Sequence, residues 1–187
     1  MRKRSLKERF IGWLFKLFGW KYQGEISSDL KKYVIVVAPH TSNIDFFIGY
    51  GFKHLVGFHP NFLGKKSLFK IPIIGWFLKS IGGYPVDRSK HSNLVGQVVD
   101  LFNTTDEFVM TIAPEGTRSY SPEWKTGFYR IAEKANVPII KIGFDYGSKT
   151  VFVAEPQYVT GNMDEEILQM KNHFRQFAGR HPEKGVK

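Results

Sequence analysis

Apolar positions along the chain change rhythm several times, and each change marks an element. From residue 6 to residue 20 they recur at helical spacing: Leu6, Phe10, Ile11, Trp13, Leu14, Phe15, Leu17, Phe18 and Trp20 fill an arc of roughly 220° on a helical wheel. Ser5, Glu8, Arg9, Gly12, Lys16 and Gly19 fill the remainder, with Lys7 as the one polar intruder. A polar link at 23–29 leads to Tyr33-Val34-Ile35-Val36-Val37-Ala38, a β-branched run of the kind buried on both faces of a sheet, stopped by Pro39. Residues 43–56 return to a helical rhythm behind three good capping residues, Thr41, Ser42 and Asn43.

The rest of the chain alternates in the same way. Short strands are predicted at 61–64 and 84–86, a helix at 89–103, and a second buried strand at 108–113, ended by Pro114. A helix at 124–135, strands at 137–143 and 150–154, and a helix at 163–177 follow, and the tail at 181–187 is expected to fray. Between Lys65 and Lys79 the lysines bracket apolar and aromatic residues. Pro72 removes a backbone donor there, so two short helices are predicted rather than one. Strands alternating with helices predict a single-domain, layered α/β fold with a mostly buried mixed sheet, preceded by an amphipathic N-terminal helix. The expected division is a membrane-interface helix at 1–21 and the α/β domain at 22–187.

Charge changes this picture. Of 187 residues, 27 are Lys or Arg and 17 are Asp or Glu, a formal charge of +10 that calls for an anionic partner. The excess is not spread evenly: residues 1–21 and 53–91 each carry +6, and both stretches interleave it with large apolar side chains. A helix so broadly apolar and so basic fits either a membrane interface, with cations toward lipid phosphates, or a dock on the protein's own core; the width of the arc favours the membrane. The same pattern argues against the competing class, a basic nucleic-acid-binding domain, and no nucleic acid is expected as partner. No apolar run approaches the roughly 20 residues of a spanning helix. With no cysteine, disulfides, thiolate nucleophiles and Cys-bound zinc are excluded.

Several apparent motifs fail on spacing. Gly64-Lys65-Lys66-Ser67 resembles the end of a phosphate-binding loop, but His59 stands where that loop needs glycine. No Gly-x-Ser-x-Gly elbow exists, and His54 and His59 have no third ligand converging on them, so no metal is expected. What survives is His40-Thr41-Ser42-Asn43-Ile44-Asp45, where a buried strand gives way to a helix. Residues five apart diverge by roughly 140° on one helix, so His40 and Asp45 meet only if the histidine lies in the turn ahead of it. Asp45 would then hold the imidazole while His40 takes a proton from a substrate hydroxyl. Ala113-Pro114-Glu115-Gly116-Thr117-Arg118-Ser119 ends the second buried strand in the same way and offers donors for a phosphate or carboxylate. Tyr84-Pro85-Val86-Asp87-Arg88 adds a third strand end with an arginine.

Four blocks in order, His40-x-x-x-x-Asp45, residues 82–88 (G-G-Y-P-V-D-R), residues 115–119 (E-G-T-R-S) and residues 137–140 (V-P-I-I), resemble those of the glycerolipid acyltransferases, best known from the 1-acyl-glycerol-3-phosphate (lysophosphatidate) acyltransferases. The resemblance runs from about residue 34 to residue 142. It implies that His40 is the general base, that Asp45 orients it, and that the acceptor hydroxyl attacks an acyl thioester directly. Arg88 and Arg118 would hold the acceptor phosphate, with Glu115, Gly116, Thr117 and Ser119 shaping the pocket. The co-substrate would be acyl-CoA or acyl carrier protein, with no further cofactor. The acceptor would be a lysolipid, most naturally 1-acyl-glycerol-3-phosphate, and the setting peripheral on the cytoplasmic face of the cell membrane, at an anionic surface. Phe46, Phe47, Ile48 and residues 71–78 are candidates for acyl-chain contact or for plain core. Lys141, where the fourth block often carries a second proline, either marks another acceptor, such as a lyso-aminolipid, or lies at the sheet rim.

Overall fold

The apolar run that begins at Tyr33 lies at the centre of a parallel arrangement. In a computed structural model of the chain, which describes residues 5–87 and 94–187, β2 (Lys32–Ala38) pairs in parallel with both β5 (Phe108–Ile112) and β6 (Ile139–Asp145). β7 (Thr150–Val153) returns antiparallel on β6, and β1 (Lys21–Gln23) lies parallel to β7, giving the order β1-β7-β6-β2-β5. A smaller parallel pair, β3 (Phe62–Lys65) and β4 (Gly83–Val86), is joined to this sheet through Asn61. The Asn61 N–H donates to the Val109 carbonyl at 2.6 Å and its carbonyl accepts from Thr111 N–H at 2.8 Å. The sheet is therefore mixed, as expected.

Both faces are covered, which explains the unbroken apolar runs. On one face Val34, Val36, Phe108, Met110 and Ile139 pack against α5 (Leu94–Thr104), α6 (Gly127–Ala135) and α7 (Met163–Phe174). On the other, Tyr33, Ile35, Ile140, Ile142 and Phe144 pack against α1 (Leu6–Leu17) and α2 (Ile44–Val56). The break foreseen at Pro72 is real: α3 (Lys66–Phe69) ends before it and α4 (Pro72–Ser80) begins on it.

Three local features differ from the sequence reading. Lys21, Tyr22 and Gln23, where the N-terminal helix segment was expected to end and the link to begin, form an edge strand, because Lys21 N–H reaches the Lys149 carbonyl at 3.0 Å. The tail is held, not frayed: a 3₁₀ turn spans Pro182–Lys184, Gly185 is buried, and Arg175 donates to the Lys187 carbonyl at 2.9 Å. Finally, α1 has a buried edge. Its Gly12 lies against Leu55 of α2, and Phe15 belongs with Trp20 to the core. Leu6, Phe10, Trp13, Leu17 and Phe18 remain exposed, beside the capping box between Ser5 and Glu8. No helix among the described residues is long and apolar enough to cross a membrane.

Candidate active site

β2 stops at Ala38 and α2 starts at Ile44, and the turn between them carries His40 back over the helix's first residues. His40 Nδ1 lies 3.0 Å from Asp45 Oδ2. That same oxygen accepts the backbone N–H groups of Thr41 and Ser42, both at 2.9 Å, while Oδ1 accepts the Tyr146 hydroxyl at 2.6 Å. The carboxylate is 1% exposed and faces four donors at the start of a helix. Burial by itself would raise its pKa. The hydrogen bonds from His40, Tyr146 and Ser42 outweigh that, and Asp45 is held below the usual carboxylate range. An ionised carboxylate only accepts, so Nδ1 carries the imidazole proton and Nε2 is the basic nitrogen.

A second carboxylate backs the histidine. Glu115, 5% exposed, accepts the His40 backbone N–H at 2.8 Å. Here burial dominates over the bond and the charge from His40, and with Asp45 nearby the carboxyl is pushed up to about 7. The parallel register explains the meeting: Val36 lies opposite Ile112, so the loops leaving β2 and β5 emerge side by side. The C-terminal segment braces the same turn. His181 N–H donates to Thr41 Oγ1 at 3.2 Å, and Gly179 lies so close that a Cβ there would come within 2.8 Å of that oxygen.

Beyond Glu115 the loop opens to solvent. Gly116 has φ +65°, a left-handed backbone that favours glycine, and the Lys125 side chain passes over it. Thr117, Arg118 and Ser119 are exposed, and the Arg118 guanidinium donates to the Asn43 side chain at the start of α2. A cation thus stands next to the turn that holds His40. Arg88, the other arginine implied by the resemblance, lies outside the described residues.

His40 lines a cavity of about 520 Å³ that runs between α2 and the sheet. Its wall is mostly apolar, with Phe46 and Gly49 from α2, Val37 and Ile142 from the sheet, and Phe62 and Ile81 at the β3–α4 side. Of the acyl-contact candidates, Phe46 lines this cavity, Ile48 is core and Phe47 is 64% exposed. Lys141 lies on the other face of the sheet from Ile140 and Ile142. There it donates to Gln157 at 2.6 Å and has a lowered pKa through burial, so it does not face the site. Tyr146 went unread in the sequence, although strand alternation from Ile142 and Phe144 puts it on the cavity face. Among the described residues no group of His, Asp or Glu is arranged to hold a metal.

The acyltransferase family model matches residues 19–145. The chain belongs to that family. It is 32% identical over 155 residues to the 1-acyl-sn-glycerol-3-phosphate acyltransferase of Saccharomyces cerevisiae, covering 75% of this chain and 46% of the relative. It is 31% identical over 139 residues to the Escherichia coli protein of the same name, covering 71% and 56%. The chain therefore spans about half the length of these curated relatives. The crystal structure of the 1-acyl-sn-glycerophosphate (LPA) acyltransferase PlsC from Thermotoga maritima superposes with a TM-score of 0.63 at 20% identity, covering 90% of this chain and 75% of that one, a likeness of fold.

Proposed function

We propose that this chain is an O-acyltransferase that moves a fatty acyl group from acyl-CoA or acyl carrier protein to the free hydroxyl of 1-acyl-glycerol-3-phosphate, giving phosphatidate. The observation that carries this reading is a basic imidazole nitrogen, backed by a buried carboxylate, opening on an apolar cavity of about 520 Å³. As the acceptor oxygen attacks the thioester carbonyl, His40 Nε2 takes its proton. The new C–O bond forms, the C–S bond breaks, and the thiolate leaves with the proton that His40 returns. Asp45 stays ionised throughout and stabilises the imidazolium. The acyl chain lies along Phe46 and Gly49.

Arg118 holds the acceptor phosphate with the donors of Thr117 and Ser119, and by resemblance with Arg88. Lys141 faces away from the cavity and so gives no reason to prefer a lyso-aminolipid over a phosphate-bearing acceptor. The protein works at an anionic membrane, peripherally on the cytoplasmic face; the exposed apolar edge of α1, flanked by Lys7, Arg9 and Lys16, supports that setting. The test is acyl transfer from each thioester to a panel of lysolipids. Phosphatidate formation from 1-acyl-glycerol-3-phosphate is expected. Acylation of a lyso-aminolipid alone would replace the acceptor, and no thioester consumption with any acceptor would overturn the reading.

A further inference from the structure

α4 is built inside out. Its inner side is small: Gly75 lies against the Phe69 carbonyl so closely that a Cβ would come within 2.3 Å, and the Leu78 carbonyl closes on Gly83. Its outer side is large and apolar. Ile73 is 82% exposed and Trp76 72%, with Phe77, Ile74, Ile71 and Leu68 also open to solvent. The positions 73, 76 and 77 share one helical face, so this is a continuous ridge and not a scatter of side chains. The Phe69 ring, in contact with Gly64 and Gly83, fastens α3 to the small sheet and gives the ridge a rigid base.

We propose that α3 and α4 form a second docking surface, for a bilayer containing anionic lipid, set at the mouth of the acyl cavity. Charge decides the occupant. Residues 65–86 contain no Asp or Glu, and Lys65, Lys66, Lys70 and Lys79 are exposed around the ridge. No carboxylate among the described residues pairs with any of the four. Lysines ringing apolar side chains match headgroup phosphates above acyl chains. A second copy of the chain would instead set lysines against lysines on a molecule already at +10. The proposal deepens the acyltransferase reading and rests on it for the meaning of its position: Ile81, just beyond α4, lines the cavity that reaches His40. Docking through α4, next to Ile81, turns that cavity toward the lipid.

The test is binding of the full chain to phosphatidylcholine vesicles with and without about a third of phosphatidylglycerol, by flotation, for the wild type and the double variant Ile73→Ser/Trp76→Ser. Side chains so exposed have little role in folding, and quenching of tryptophan by brominated lipid, compared between the wild type and Trp76→Phe, gives a readout that does not depend on the double variant. Salt-sensitive binding to the anionic vesicles, weakened at least about tenfold in the double variant, is expected, with Trp76 among the quenched residues. Equal binding by both proteins, with no Trp76 quenching, would overturn the role of α4 and leave acyl transfer standing. No vesicle binding by the wild type would overturn it together with the membrane setting. A wild-type dimer dispersed by the same substitutions would assign the ridge to a second copy.

Discussion

The Tyr146 hydroxyl donates to Asp45 Oδ1 at 2.6 Å, the one side-chain donor to that oxygen among the described residues, and its ring stands edge-on to Trp20 with 5.0 Å between centroids. The other three donors all converge on Oδ2. Tyr146 thus fixes the rotation of the carboxylate that orients His40, and makes it a positioning residue. In Tyr146→Phe the ring keeps its packing and only this bond is lost. We expect kcat to fall about tenfold with KM for both substrates unchanged, the scale of one charge-assisted hydrogen bond. A depressed carboxylate contributes stability that is lost as pH falls through its folded pKa. With less depression, the acid-unfolding limb of the variant moves to higher pH. Steady-state kinetics and urea titrations against pH check both; an unchanged kcat would leave the hydroxyl a structural role alone.

Glu115 titrates with the opposite sign. Its folded pKa is about 7 against an ordinary 4.5, so the native state holds the proton longer than the unfolded chain does. Stability is full below the unfolded value and falls as pH rises through that window, by on the order of 3 kcal/mol at most. Glu115→Gln keeps an acceptor for the His40 N–H and removes the titration. Urea midpoints are expected to fall between pH 5 and pH 7.5 in the wild type, and that fall is expected to be absent in the variant.

Two glycines in α2 separate cavity from core. A Cβ on Gly49 would meet nothing nearer than the Phe144 ring at 3.6 Å, whereas one on Gly51 would press into Phe15 at 2.8 Å. Gly49→Leu is expected to fold as well as the wild type and to shift preference toward shorter acyl chains, each excluded methylene forfeiting about 0.8 kcal/mol of burial. Gly51→Ala is expected to lose about 1–2 kcal/mol of stability with no change in chain preference, since overpacking outweighs the gain in helix propensity. Competition between acyl donors of different length, with thermal unfolding alongside, reads both.

Arg118 contacts the start of α2 but lies in an open loop. Removing its charge in Arg118→Ala is expected to raise KM for a phosphate-bearing acceptor about 30-fold, equivalent to roughly 2 kcal/mol, with kcat little changed. KM for the thioester donor, measured in the same series, is expected to hold.

How much was legible follows from how local each feature is. β2 and β5 were plain because strands covered on both faces are nearly continuous apolar runs, and the break at Pro72 was plain because proline has no N–H to give. The His40–Asp45 pair was legible because the turn and the helix start are contiguous. β1 was not, since its residues Lys21, Tyr22 and Gln23 are all exposed and only pairing with distant β7 makes them a strand. The bond from Glu115 to the backbone of His40 joins loops 75 residues apart and needs the parallel register of β2 and β5. The held tail likewise depends on Thr41 and Pro39, far away in sequence. Tyr146 and Lys141 are different. Alternation along β6 already puts Lys141 on the opposite face from Ile140 and Ile142, and carried one residue past the strand it puts Tyr146 with Ile142 and Phe144.

If His40 deprotonates an acceptor hydroxyl for attack on an acyl thioester, thiol release and acyl transfer both depend on it. The direct measurement is the rate of free-thiol release with phosphatidate formation from a thioester and 1-acyl-glycerol-3-phosphate, for the wild type and for His40→Ala. Equal amounts of thiol and phosphatidate are expected from the wild type, and a rate at least about 10³-fold lower from the variant, with its urea midpoint near that of the wild type. Phosphatidate formation at the wild-type rate by folded His40→Ala would contradict it.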